Sequence, residues 1–149
     1  MFFSSFIYTK EENNHYKTPK DKDYLLKLVI PKISLNKTIY NIGDYLNNVE
    51  YNVEILESSN IENNTIFLAS HSGRGQNCYF NRLKELKNKD NIFIIIGNKK
   101  LVYEVTDIYY IIKNGQLEIE ENIANTIYLI TCSTINTNKQ LIIKGKLIN

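Results

Sequence analysis

From Leu25 to Ile148 the chain is a succession of short apolar runs rich in Ile, Val, Leu, Thr and Tyr, each closed by Gly, Pro, Asn or a polar loop. The spacing leaves little room for long helices. It points to a mostly β fold, a barrel or sandwich of about seven or eight strands with two or three short helices. The predicted strands are Leu25–Ile30 (stopped by Pro31), Ile33–Tyr40, Thr65–Ala69, Asn91–Gly97, Leu101–Ile112, Thr126–Ser133 and Gln140–Ile148. Turns are expected at Gly97-Asn98 and Asn114-Gly115. Helical spacing occurs in the stretch that Gly43-Asp44 opens through Leu46 and Val49, with Asp44 as cap, and again from Tyr79 to Leu86. Leu117–Ile123 reads as a short helix or an edge segment. Several strands are apolar on both faces, as expected where each is covered on both sides.

The 149 residues suffice for one domain with a real core. Thr9 to Asp23 is polar and without apolar periodicity, so residues 1–24 read as a flexible lead-in and 25–149 as the folded domain. The apolar patch Met1–Tyr8 is far shorter than the roughly 20 residues that cross a bilayer, and it lacks the marks of a signal peptide. Either the chain is soluble as written or this patch is the remnant of a longer membrane anchor.

Eighteen basic against sixteen acidic residues, only two of them arginine, leave no nucleic-acid footprint. His15 and His71 are far apart and no CxxC, HxxxH or HExxH occurs, so no metal site is expected. Cys78 and Cys132 show no spacing of a disulfide scaffold, and Cys78 reads as a bystander.

One residue set could do covalent chemistry. The run Thr126–Ser133 carries Cys132 at its end, a position that suits a nucleophile and equally a core cysteine. A thiol becomes a good nucleophile when a histidine takes its proton or pairs with the thiolate. His71 follows another apolar strand in the turn Ser70-His71-Ser72-Gly73-Arg74-Gly75. If the two strands are near each other, both side chains emerge at one rim. Acyl transfer also needs an oxyanion donor, and the opening of the last strand offers Lys139 and Gln140. Strand alternation sets Lys139 on the opposite face from Gln140.

Four stretches in order then carry a family resemblance. They are Leu28-Val29-Ile30-Pro31-Lys32-Ile33, Leu68-Ala69-Ser70-His71, Tyr79-Phe80-Asn81-Arg82-Leu83 and Tyr128-Leu129-Ile130-Thr131-Cys132. In order and spacing the chain resembles the sortases, cysteine transpeptidases of Gram-positive cell walls, from about Leu25 to Ile148. The resemblance implies an eight-stranded β-barrel in which Cys132 forms a thioacyl intermediate and His71 is general acid and base. Ser70, Ser72, Arg74, Tyr79, Thr131, Ser133 and Lys139 would line or shape the peptide site. The partners implied are the sorting-motif peptide of a secreted protein and a peptidoglycan-precursor or pilin amine. No cofactor is implied. The expected setting is a monomer on the outer face of the membrane.

Two departures stand out. Ser70 replaces the usual glycine before the histidine, a small-for-small change. Gln140 occupies the register of the family's usual arginine, in Gln140-Leu141-Ile142-Ile143-Lys144-Gly145-Lys146-Leu147, which suggests a class B- or D-like member. The neutral group leaves a second reading open: an impaired sortase-fold module that binds a peptide without turning it over.

Overall fold

A computed structural model describes residues 23–114, 116–132 and 138–149. It contains the strands β1 (Leu26–Ile30), β2 (Leu35–Ile39), β3 (Glu54–Ile55), β4 (Ile66–Ala69), β5 (Asn91–Ile96), β6 (Lys99–Ile112), β7 (Thr126–Cys132) and β8 (Lys139–Leu147). They form one sheet in the order β2-β1-β5-β6-β8-β7-β4-β3. Every pairing is antiparallel except β4 with β7, which is parallel. The two edge strands approach each other: Asn52, just before β3, donates its side-chain amide to the Thr38 carbonyl of β2 at 3.2 Å. The sheet is thus a nearly closed eight-stranded barrel.

Alternation along the strands explains why so many runs are apolar throughout. Leu26, Leu28, Ile66, Leu68, Ile127, Leu129, Leu141 and Ile143 face the interior core. On β4, β7 and β8 the alternate residues Phe67, Tyr128 and Ile142 form a second cluster on the outer face. Leu56, Tyr109, Ile111, Leu117, Ile123 and Ile130 pack against it, and the Phe67 and Tyr128 rings stack at 4.8 Å. These strands are buried on both faces because the β6–β7 connection folds back over them.

Seven predicted strands are present within a residue or two of the expected ends. The eighth, β3, has two residues and no run to announce it. The helices differ more. Among the described residues the helical elements are three 3-10 turns, at Pro31–Ile33, Ile61–Asn63 and Leu83–Glu85. The stretch after Gly43 is a chain of turns, because its short polar side chains capture backbone groups that a helix would need. Asp44 Oδ1 accepts from Leu46 N at 2.9 Å. Asn47 exchanges two bonds with the Ile55 backbone, at 2.7 and 3.1 Å, and so extends the pairing of β3 with its own side chain. Leu117–Ile123 has no regular structure, its two end residues serving as plugs on the outer cluster. Along β6, Tyr103 is buried, Tyr109 lies against the outer cluster, and Tyr110 is exposed.

Most of the lead-in, His15, Gly115 and Ser133 lie outside the described residues. Among the described residues no helix is long and apolar enough to cross a membrane.

Candidate active site

Cys132 is the last residue of β7 and Gln140 the second of β8, and the two are direct cross-strand partners. Cys132 has the outward parity of Tyr128 and Ile130, and Gln140 that of Ile142, so both belong to the outer face. Each is partly exposed, and Cys132 is a free thiol. Lys139 has the opposite parity and is exposed. The register thus sets Gln140, and not Lys139, opposite Cys132.

The parallel pairing of β4 and β7 brings in the histidine. Ala69 is the partner of Ile130, and Ser70 N donates to the Ile130 carbonyl at 3.3 Å. Two residues on, Ser72 Oγ donates to the Cys132 carbonyl at 2.6 Å. These two bonds bracket His71 and hold its backbone against the end of β7. The turn that follows is closed from within. Phe80 N donates to the His71 carbonyl at 3.1 Å, and Gly73 N to Asn81 Oδ1 at 2.9 Å. Gly73 has φ of +120°, which an L side chain would strain. Phe80 and Leu83, the aromatic-leucine pair, are fully buried and anchor the loop in the core.

The histidine ring has a partner that the sequence did not suggest. His71 Nε2 lies 3.2 Å from Glu50 Oε2, a carboxylate on the β2–β3 connection. Asn77, on the histidine's own loop, donates its amide to the Glu50 carbonyl at 2.9 Å and accepts from the Tyr79 hydroxyl at 2.9 Å. Lys37 covers the Tyr79 ring at 4.1 Å. Tyr79 thus braces the loop beside the site.

The other expected site residues separate by role. Ser70 and Thr131 are 5% and 3% exposed, and their hydroxyls have no partner among the described residues. Both have the inward parity, so they lie behind the site. Arg74 is exposed on the turn. Arg82 is committed elsewhere: it forms two 2.9 Å bonds to Glu85 and one of 3.2 Å to the Ile33 carbonyl. The Glu85 bond raises the Arg82 pKa, and Arg82 lowers that of Glu85. It offers nothing to an oxyanion at Cys132. Cys78 is free and close to the glycine turn, its sulfur 3.8–3.9 Å from where a side-chain carbon would stand at Gly75 or Gly73.

The set can do nucleophilic acyl chemistry: a partly exposed thiol at a rigid strand end, an imidazole on a pinned turn beside it, and an amide donor across the strand pair. Comparison with known proteins gives the family. The model of the sortase domain matches residues 28–148. A search of curated proteins gave no match. Among solved structures, sortase A from Corynebacterium diphtheriae superposes with a TM-score of 0.72 at 23% identity, covering 86% of this chain and 62% of that one. The chain therefore spans less than two thirds of that protein. Sortase C-1 from Actinomyces oris gives 0.73 at 22%, over 89% of this chain and 84% of that one. Sortase C1 from Streptococcus agalactiae gives 0.71 at 22%, over 84% and 69%. At these identities the superpositions speak for the barrel alone, and the solved relatives named here are of types A and C. With a domain match over most of its length and the same barrel, the chain belongs to the sortase family.

Proposed function

We propose that the protein is a cysteine transpeptidase that cleaves a sorting motif in a secreted protein and transfers the acyl group to a cell-wall or pilin amine. The observation that carries this reading is the convergence at the end of β7, where Gln140 is the strand partner of Cys132 and two hydrogen bonds pin the His71 turn to the same strand. The Cys132 thiolate attacks the scissile carbonyl carbon. Gln140 donates to the oxygen that becomes negative. As the C–N bond breaks, His71 gives the leaving amine its proton, and a thioester remains on Cys132. His71 then takes a proton from the incoming amine, which attacks the thioester carbon. Cys132 leaves as the thiolate and the site returns to its starting state.

The peptide docks at the strand end where Cys132 and Gln140 are partly exposed, with Arg74 and Tyr79 at its margins, since Phe67 and Tyr128 farther along this face are buried beneath Leu117 and Ile123. Ser70 and Thr131 back the site from within. Such work belongs on the outer face of a Gram-positive membrane.

The test is incubation with fluorogenic peptides cut at Thr–Gly and related bonds, followed by intact mass. The expected result is a thioacyl adduct that is absent in Cys132→Ala. Peptide binding without an adduct would favour the second reading, a non-turning-over binding module, for which the neutral Gln140 is the argument.

A further inference from the structure

We propose that Glu50 is a positioning residue for His71, holding the imidazole so that Nδ1 is the nitrogen that exchanges a proton with Cys132. This deepens the transpeptidase reading and rests on it. A carboxylate can only accept hydrogen bonds, so in the 3.2 Å contact the hydrogen is on His71 Nε2. Nδ1 is then left as the basic nitrogen. Nucleophile, base and an orienting third group are the usual logic of an activated thiol.

The backbone that carries this carboxylate is held by a compact run of turns. Glu50 N donates to Asn48 Oδ1 at 2.8 Å, Val49 N to Glu54 Oε1 at 3.0 Å, and Tyr51 N to the Asn48 carbonyl at 2.9 Å. Asn52 ties the end of the run to β2. Asn77 joins it to the histidine's own loop by donating to the Glu50 carbonyl. Base and orienter are thereby fixed to each other by a second link that does not involve the ring. Such preorganisation matters because a small misplacement of a proton-transfer group is costly in rate.

The pair contributes little to folding. The side chains of His71 and Glu50 are 44% and 69% exposed, and exposed ion pairs are weak. Variants at position 50 should therefore fold with an unchanged melting temperature, and a rate effect can be read cleanly.

The experiment uses a Cys78→Ser background, so that Cys132 is the sole thiol, and follows iodoacetamide alkylation by mass without any peptide. Glu50→Ala should slow alkylation about three- to tenfold, the worth of one hydrogen bond. Glu50→Gln, which keeps an acceptor oxygen in place, should stay within about twofold of the parent. With a cleavable peptide, Glu50→Ala should lower kcat and leave KM unchanged. His71→Ala separates the two levels. If His71→Ala slows alkylation and Glu50→Ala does not, the positioning role is overturned and the transpeptidase reading stands. Should Glu50→Gln fall as far as Glu50→Ala, orientation is overturned in favour of charge. If His71→Ala alkylates at the parent rate, the Cys–His reading fails and Glu50 with it.

Discussion

Replacing Gln140 is the most direct probe of its proposed role as oxyanion donor. Gln140 is the strand partner of Cys132 on one side and of Ile111 on the other, and its side chain emerges on the face that carries the thiol. Loss of one oxyanion donor costs about 10²–10³ in rate, about 2.7–4 kcal/mol. That figure is the worth of a neutral amide donor, so it applies to Gln140 directly. Gln140→Ala should therefore lower kcat/KM for acylation by about 10²- to 10³-fold, and Gln140→Arg, which supplies a stronger charge-assisted donor, should raise it. Lys139→Gln is the internal control, since its opposite parity predicts no change of this size. The assay is initial-rate cleavage of a fluorogenic peptide, with iodoacetamide alkylation of Cys132 to check that the thiol itself is unaltered. Full activity in Gln140→Ala would refute the oxyanion assignment, whatever Gln140→Arg did.

Two further predictions concern the barrel. At Gly145 on β8 a side-chain carbon would lie 3.1 Å from the Glu104 carbonyl oxygen and 3.1 Å from Ile127 Cγ2. Since backbone cannot give way, Gly145→Ala should lose about 1–3 kcal/mol in urea unfolding, and an unchanged midpoint would refute the tight approach. Tyr103 donates its hydroxyl to the Asn64 carbonyl at 2.7 Å, and burial pushes its phenol above the usual range. Tyr103→Phe should cost about 1 kcal/mol at neutral pH. Because the folded value is raised, this contribution is complete below about pH 10 and fades as pH rises further, so the gap between parent and variant should narrow there.

The barrel was largely legible because its strands are bounded by strong punctuation. Pro31 ends β1 and begins a 3-10 turn, and Gly97-Asn98 closes the hairpin of β5 and β6. What escaped was structure made by side chains instead of by pattern. β3 is two residues long and has Asn47 as a substitute strand. The stretch after Gly43 has helical spacing, but its Asp and Asn residues bind the backbone locally and hold it in turns. A helix from Tyr79 shrank to Leu83–Glu85 because Phe80 N is bonded to the His71 carbonyl, outside any helical ladder. The outer cluster was foreshadowed by strands apolar on both faces, though nothing in Leu117–Ile123 said that its ends would plug that cluster.

The site divides along the same line. Cys132 and His71 are each announced by the strand that delivers them, and the register of β8 picks Gln140 over Lys139 without knowledge of any coordinate. Glu50 is announced by nothing. It is one of several acids near the turns between Asp44 and Glu54, 21 residues before its histidine, and its meaning depends on how the β2–β3 turns fold. Yet it changes how the missing arginine is understood. An arginine at position 140 would place a positive charge beside Cys132, whereas this chain has a neutral amide there and a carboxylate on the far side of His71. Relative to a site with the arginine and no carboxylate, the surroundings are more negative by two charges, one removed and one added. The carboxylate is exposed and so partly screened, which makes orientation its main effect. In the proposed mechanism the two residues act on different groups: Gln140 on the charge that develops at oxygen, Glu50 on the proton that moves between Cys132, His71 and the leaving amine. If both assignments hold, Gln140→Arg and Glu50→Ala should combine nearly additively in acylation rate, since they touch separate groups.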